Sequence, residues 1–426
     1  MKPYVINILT HEPDYRFMEG KPRPKVNWDT PDGNWVGIYR NEIPDKLGRE
    51  VLIHTDEFEY EVWQLDYRAD KMYSHRFEDG LVHRLFPAHD VEKWHGLKTI
   101  KQMVSPELIA YLLEYSRDHE VVINLNGNLN DFDLEVIREC SHLPILQTFR
   151  GTILLPETLM FKPRKNLLAS YSYYRKHQKL KQLMQHIDYV TYMNNLHLDD
   201  LEKVYQGPKC KITSGCNFDF WRDEDKKTIR EKLGLPQEKK IFFTSSLLKP
   251  IKQIDKLIEV FKELDQEGHD FLLLISGHGT DAYEKELQEL AEPLMKKNKL
   301  RFVGYIVNEE LRDYYNASDM FISCAYSEGG PTSSIKAIAC RTDVFTTDTG
   351  NVYEVMEEHD AGIRVGYKDY KTWKRELDAY LKGKRAVSAF DYQTARELFN
   401  WQNIAARFSD IYRQLHQSYK KQRKTA

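Results

Sequence analysis

One stretch of the chain, Tyr326–Cys340, has residue types better suited to chemistry than to packing: YSEGGPTSSIKAIAC. A single carboxylate, Glu328, precedes Gly329, Gly330 and Pro331. Thr332, Ser333 and Ser334 then open a short apolar helical pattern, and Lys336 follows eight residues after the glutamate. A carboxylate accepts hydrogen bonds from hydroxyl groups but cannot hold a phosphate, whereas a glycine-flanked helix start offers free backbone N–H groups to an anion. Two further loops carry complementary groups. TSSLLKPIKQ contains Ser246, Lys249 and Lys252, whose ammonium groups suit a diphosphate. SGHGTD contains Gly277 and Gly279, which would let a phosphate approach the backbone. Together these parts describe a pocket for a sugar that carries a diphosphate. Each also has an ordinary explanation: G-x-G marks many tight turns, Ser and Thr cap many helices, and a lysine before a helix is commonly solvated. Their order along alternating elements is what gives them weight.

Those elements are legible as short apolar runs separated by amphipathic stretches. YVINIL, EVLIHT, EVVINLN and LPILQTF read as strands in the first half, and KIFFTSS, DFLLLIS, LRFVGY, DMFISC and DVFTT in the second. Between them IDKLIEVFKELDQEG places Ile254, Leu257, Ile258, Phe261 and Leu264 on one helical face, with Gly268 as the stop. Strands alternating with helices imply parallel sheets covered on both faces, and the alternation occurs twice around a turn-rich interval near 206–225. In such sheets ligands bind beyond the carboxyl ends of the strands, where all of the loops above fall. Two doubly wound α/β domains are therefore expected. Residues 1–213 form an acceptor-side domain with an insertion near 10–34, and 214–395 a donor-side domain. Residues 396–426 form a terminal helix that crosses back to the first domain, with Trp401, Ile404, Phe408, Ile411, Leu415 and Tyr419 on one face and a solvated tail KKQRKTA.

Composition narrows the class. The 426 residues are 41% hydrophobic and 30% charged, as in a soluble globular protein. A formal net charge of -3 argues against a dedicated nucleic-acid binder. The five cysteines show no C-x-x-C spacing, which favours reduced thiols over disulfides or zinc. The N-terminus reads as a strand rather than a signal peptide, and FLLLIS is too short to span a bilayer. A cytoplasmic protein, with a peripheral position at the inner face of a membrane as a further option, is the expectation.

Residues 186–415 resemble the family-4 retaining glycosyltransferases of the GT-B fold. KITSGCNFDFW is similar to their inter-domain segment and SSLLKPIKQIDKLIEVF to their first phosphate loop and helix. LRFVGYIVNEELRDYYNASDMFISCAYSEGGPTSSIKAIAC resembles their donor-binding core, and TGNVYEVMEEHDAGIRV and FNWQNIAARFSDIYRQL continue the match. In the first half GNWVGIYRNEIPDKLGREVLIHTD, containing Gly33 and Asn34, can stand for the glycine loop, helix and second strand of the acceptor domain. The resemblance implies two Rossmann-like domains facing across a cleft, a nucleotide-sugar donor, and a hydroxyl acceptor on a glycan, lipid or protein. It implies that Lys252 neutralises the diphosphate and Glu328 holds the donor sugar. The loop amides of Gly329, Gly330 and Thr332, with Pro331 beside them, would meet sugar and phosphate, while Gly304 and Tyr305 lie where the base is cradled. No cofactor and no metal is expected, since no Asp-x-Asp pair follows a strand end in the second domain.

The chain departs from that pattern at four places. The second glutamate of the pair is Lys336, the arginine beside the phosphate loop is Leu247, the glycine after Lys252 is Gln253, and the first domain's T-x-H-G turn is TFRG, with Arg150 and Gly151. From Arg150 to Lys181 the basic residues, Lys176 and Lys179 among them, are interleaved with Tyr171, Tyr173 and Tyr174 against one acid, Glu157. This run is either an ordinary solvated face or an electropositive acceptor face for anionic lipid head groups, a phospho-polyprenol or an acidic glycan. His54, His83, His95 and His278 are singletons without metal spacing. The leading reading is a retaining glycosyltransferase; the alternative is a non-catalytic GT-B subunit that binds a glycan or a catalytic partner.

Overall fold

The computed structural model describes residues 2–9, 43–67, 69–95, 98–151, 153, 155 and 167–425. The insertion expected at 10–34, with Gly33 and Asn34, lies outside them, as do Lys162, Arg164 and Lys165 of the basic run. The chain divides into two compact units, Met1–Ile212 with Trp401–Ala426, and Thr213–Asn400. The second boundary falls at 400/401 rather than 395/396. Tyr392–Phe399 is a helix of its own, and extended backbone at Asn400 ends it before the terminal helix begins.

Unit 1 is built on an eight-stranded sheet. Its strands are β1 (Tyr4–Leu9), β2 (Glu59–Asp66), β3 (Tyr73–Arg76), β4 (Val82–Pro87), and, after a separate antiparallel hairpin of β5 (His89–His95) and β6 (Lys98–Val104), β7 (Val121–Asn126), β8 (Ile145–Thr148), β9 (Tyr189–Tyr192) and β10 (Lys209–Lys211). The order is β10-β9-β8-β7-β1-β2-β4-β3, parallel except for the edge pair β3–β4. The EVLIHT segment is a correction: it is the end of the helix Ile43–His54, and the second strand is EYEVWQLD at 59–66. Leu47 and Val51, four apart and both fully buried, set that helical face, and a short apolar VLI in a last turn looks like a strand when read alone. Gly48 is dictated by packing, because a Cβ there would come within 2.6 Å of the Tyr60 ring.

The terminal helix, Trp401–Thr425, covers one face of this sheet. Trp401, Ile404, Phe408, Ile411 and Leu415 are buried as their spacing predicts, each such side chain contributing about 1.5–3 kcal/mol. Arg413 clasps Glu57 with two bonds of 2.8 and 2.9 Å, and Lys420 pairs with Glu120 at 2.9 Å. The tail is helical as far as Thr425.

Unit 2 is a six-stranded parallel sheet: β11 (Lys240–Ser245), β12 (Phe271–Ser276), β13 (Leu300–Gly304), β14 (Met320–Ser323), β15 (Asp343–Thr347) and β16 (Ile363–Val365), in the order β13-β12-β11-β14-β15-β16. The first five are the runs read from sequence; β16, three residues long, was not. The helix Ile254–Gln266 buries Ile254, Leu257, Ile258, Phe261 and Leu264 and stops before Gly268, whose φ is +85°. Asp319 accepts from Arg230 at 2.7 Å and from the Ile241 amide at 2.8 Å, fixing the segment before the sheet to the start of β11. All five cysteines are free thiols. Among the described residues no helix is long and apolar enough to cross a membrane.

His83 on β4 is fully buried, and desolvation, with Arg49 and His75 adding to it, pushes its pKa from 6.5 to about 3. Folded His83 is therefore neutral where an unfolded chain would protonate it. Between pH 6.5 and about 3 the unfolded state binds more protons, so stability rises with pH in that window and is lost on acidification. At about 1.4 kcal/mol per pH unit, we expect His83 to cost up to about 3 kcal/mol by pH 4. The melting-temperature gap between wild type and His83→Gln should narrow steadily from pH 7 to pH 4; a constant gap would contradict the assignment.

Candidate functional site

The strand order of unit 2 reverses between β11 and β14, so the loops leaving their carboxyl ends diverge to opposite faces and open a crevice. The β11 loop carries Ser246, Lys249 and Lys252; the β14 loop carries Glu328, Gly329 and Gly330. The structure brings the two charged groups together, with the Lys252 ammonium donating to the Glu328 carboxylate. Their side chains are 22% and 19% exposed, so the pair remains within reach of a ligand. Directly after it starts the helix Thr332–Ala339, whose first residue follows Pro331 and whose N-terminus no side chain caps. A cation from the β11 loop thus meets a carboxylate of the β14 loop, which leads into an uncapped helix N-terminus.

Gln253 holds this arrangement. It ends the short 3-10 turn Pro250–Lys252 with φ +53°, a conformation that favours glycine. Its side chain offsets the strain: Nε2 donates to the carbonyls of Cys324 (3.0 Å) and Tyr367 (3.1 Å), and Oε1 accepts from the Tyr370 hydroxyl (2.8 Å). The Cys324 thiol, driven up to about 12 by burial, donates to the Lys252 carbonyl at 3.2 Å. The backbone adds Tyr326 N–H to Ile251 O at 3.0 Å. Sequence reading took Gln253 as a departure from a glycine and did not see this role.

The SGHG loop is explained by packing. The Gly277 amide donates to Gly304 O, and the Gly279 amide to the Glu284 carboxylate. A Cβ at Gly277 would lie 1.8 Å from Ser246 O, and one at Gly279 2.2 Å from Leu248 O. Both residues are glycine so that the β11 and β12 loops can touch, and the two amides are already committed. The phosphate-cradle expectation for them gives way to the tight-turn explanation. Gly304, at φ +71°, faces open space, and Tyr305 is 55% exposed with its ring edge-on to His278 at 5.6 Å. These leave an open aromatic rim on the crevice. Lys249 is exposed, and the Ser246 hydroxyl donates to Leu247 O.

Lys336 sits on the second turn of the helix Thr332–Ala339. Its ammonium lies over the Trp221 ring at 4.4 Å and donates to Asn308 Oδ1 at 3.3 Å. Sequence reading also missed Asn351. It is fully buried, its amide N–H donates to Gly329 O at 3.0 Å, and neither side-chain amide atom has a partner among the described residues. Gly350 before it has φ +78°, and a Cβ there would press on Glu328 Cβ at 3.2 Å. The only hint in the sequence was a polar residue at the start of a helix after a strand.

In unit 1 the basic run separates. Arg150 leaves the solvated face: it is partly buried, donates through Nε to Asn126 Oδ1 at 2.9 Å, and lies over the Phe408 ring at 5.7 Å. Gly151 follows, its carbonyl accepting from Asn194. Lys179 is exposed, as are Tyr171, Tyr174 and Arg175; the Lys176 side chain lies outside what is described. Among the described residues, one group could hold a metal ion, Glu267, His269 and Asp378. It lies at the amino edge of β12, away from the crevice, and Lys374 and Lys382 already pair with its carboxylates.

Residues 225–397 match the family model described as glycosyl transferases group 1. Curated relatives include D-inositol 3-phosphate glycosyltransferases from Catenulispora acidiphila, 26% identical over 47% of this chain and 49% of that protein, and from Xylanimonas cellulosilytica, 26% identical over 44% and 45%. The chain spans about half the length of the curated relatives it matches. Among solved structures, sucrose-phosphate synthase from Thermosynechococcus elongatus aligns with a TM-score of 0.66 at 15% identity, covering 98% of this chain and all of that one. Anabaena Alr3699/HepE, solved with UDP, aligns with a TM-score of 0.64 at 14% identity over 97% of this chain and all of that one.

If Lys252 and Glu328 pair in solution as they do here, a double-mutant cycle with Lys252→Met and Glu328→Gln, read by denaturant unfolding without ligand, should show a coupling of about 1 kcal/mol. Additive single effects would mean that the two groups do not sense each other.

Proposed function

We propose that the protein is a retaining glycosyltransferase that moves a sugar from a nucleotide-sugar to a hydroxyl acceptor, because residues 225–397 match the group 1 glycosyl transferase model in a chain of GT-B fold. The observation that carries this reading is the Lys252–Glu328 pair at the switch point of the unit 2 sheet, beside an uncapped helix N-terminus. A donor diphosphate competes for Lys252 and draws the ammonium away, which frees Glu328 to accept from sugar hydroxyls. The N–H groups of Thr332 and Ser333 at the helix start face the developing charge of the leaving diphosphate. Among the described residues no side chain is placed as a nucleophile, and in this reading the protein supplies positioning and charge stabilisation while the leaving phosphate takes the acceptor proton. UDP, which the Anabaena structure contains, is the first donor nucleotide to try. The exposed Tyr171, Tyr174, Arg175 and Lys179 support a peripheral position on an anionic membrane, in keeping with a cytoplasmic protein.

One observation favours the second reading, a GT-B subunit without catalysis. Lys336 has only donors to offer and is held by Trp221 and Asn308, so it supplies no acceptor for ribose hydroxyls.

Calorimetry with UDP, GDP and ADP, followed by transfer assays with the matching nucleotide-sugars, separates the two. Lys252→Ala should weaken nucleoside-diphosphate binding about tenfold or more, as loss of a charge-assisted phosphate contact does. Glu328→Ala should abolish transfer while leaving the melting temperature within a few degrees. No binding of any of the three nucleotides to wild type or to Lys336→Glu would remove the enzyme reading and leave the subunit.

A further inference from the structure

The edge of the unit 2 sheet opposite the crevice carries a cavity of about 480 Å³. It lies at the amino ends of β15 and β16, between the last turn of the helix Thr332–Ala339 and the segment that leads into the helix Tyr392–Phe399. Its walls are apolar. Ile338, Val344 and Met356 are each at most 4% exposed, and Phe390 adds an aromatic face, its ring 5.1 Å from that of His359. Gly362 holds these walls in place: at φ +67° a Cβ there would lie 1.7 Å from Met356 Cε, and its amide donates to Ser388 O at 2.9 Å, two residues before Phe390. A benzene-sized ligand needs about 150 Å³ of apolar cavity, so a body of roughly two rings fits.

One charged group beside this cavity has no answering charge. Arg341 lines it, is exposed, and holds its guanidinium 4.7 Å from the centre of the Tyr392 ring. Among the described residues no carboxylate pairs with it. The two carboxylates that also line the cavity are committed elsewhere. Asp391 accepts from the amide and hydroxyl of Thr394 at 2.7 and 2.8 Å, and Asp343 accepts from Tyr380 at 3.3 Å with Lys226 and Lys240 acting on its charge. An exposed arginine alone would mean little. Arg341, however, has φ +54° just past the end of the helix, a left-handed position that glycine fills at less cost. Other residue types held in that conformation gather at ligand sites.

We propose that this cavity binds an organic oxyanion with an aromatic body, whose carboxylate or phosphate meets Arg341 while its rings lie against Phe390 and Met356. The guanidinium offers an oxyanion two parallel N–H bonds, and the Tyr392 ring already orients it. The rings lose their contact with water on entry, and the Met356 thioether adapts to an aromatic edge. The crevice opens at the carboxyl ends of the same sheet, so the cavity is a separate site. It does not depend on the glycosyltransferase reading.

The test is thermal unfolding of the full chain with 2-naphthoate and, separately, 2-naphthyl phosphate, against acetate, inorganic phosphate and 2-naphthol. At least one of the naphthyl anions should raise the melting temperature saturably, and the stronger identifies the anionic group as carboxyl or phosphoryl. The small anions and the uncharged naphthol should each act about tenfold more weakly or less, since each lacks half of the contact. Arg341→Gly should keep the ligand-free melting temperature within a few degrees, because relief at the left-handed position offsets the lost ring contact. It should weaken the response about tenfold or more. Ala389→Trp, at an exposed position on the cavity wall, should block entry of the rings and abolish the response. No saturable response to either naphthyl anion, or an undiminished one in Arg341→Gly or Ala389→Trp, would overturn the site. So would naphthol or a small anion acting as strongly as the naphthyl anions, or displacement of the bound anion by UDP, which would put it in the crevice.

Discussion

The chemistry of unit 2 depends on one backbone conformation. Gln253 is held at φ +53°, where a β-carbon is disfavoured, and its side chain ties together the loops that leave β11, β14 and β16. With the Cys324 thiol bonded to Lys252 O and the Tyr326 amide bonded to Ile251 O, that clamp fixes the turn Pro250–Lys252 beside Cys324, and so Lys252 beside Glu328. Glycine would relieve the strain at this position but would bridge nothing. The chain has exchanged conformational ease for three hydrogen bonds that define the geometry of the crevice.

A second consequence concerns charge. In a parallel sheet the helix N-termini and strand carboxyl ends meet at one edge, which makes that edge electropositive. Glu328 in this field neutralises Lys252 when no other anion is present. The same pair therefore serves as a resting contact and as the two halves of a site for a molecule with both phosphate and hydroxyl groups. Lys336 adds a second cation, on the helix that follows Glu328, but the Trp221 ring and Asn308 occupy its ammonium.

Unit 1 solves a related problem differently. The terminal helix covers the sheet with apolar residues along most of its length, yet Tyr412 and Phe408 also meet polar strand ends. Buried asparagines and threonines are tolerable only when their bonds form a continuous network. That network runs from Thr191 through Thr148 to Asn124 and Tyr412, and from Arg150 through Asn126 to Asn7.

Much of this was legible in the residues themselves. The five strand runs of unit 2, the face of the helix Ile254–Gln266 and that of the terminal helix follow from local periodicity, because each depends on which side chains repeat at two or at three and four. Glu328 and Lys252 were found as types in loops. Unit 1 was harder: EVLIHT looked like a strand because a last helical turn and a short strand share the same apolar run, and EYEVWQLD was missed because it buries the polar Glu61, Gln64 and Asp66, Glu61 being paired with Arg84 at 2.7 Å. Only the tertiary structure showed that Gly277 and Gly279 serve loop packing, that Gln253 bridges three loops, that the Asn351 side-chain amide is buried without a hydrogen-bond partner among the described residues, and that Arg150 turns inward from its basic run. Periodicity and residue type are properties of neighbours in the chain. Hydrogen-bond partnership and desolvation are set by groups far apart in the chain, so they exist only once the sheets have formed.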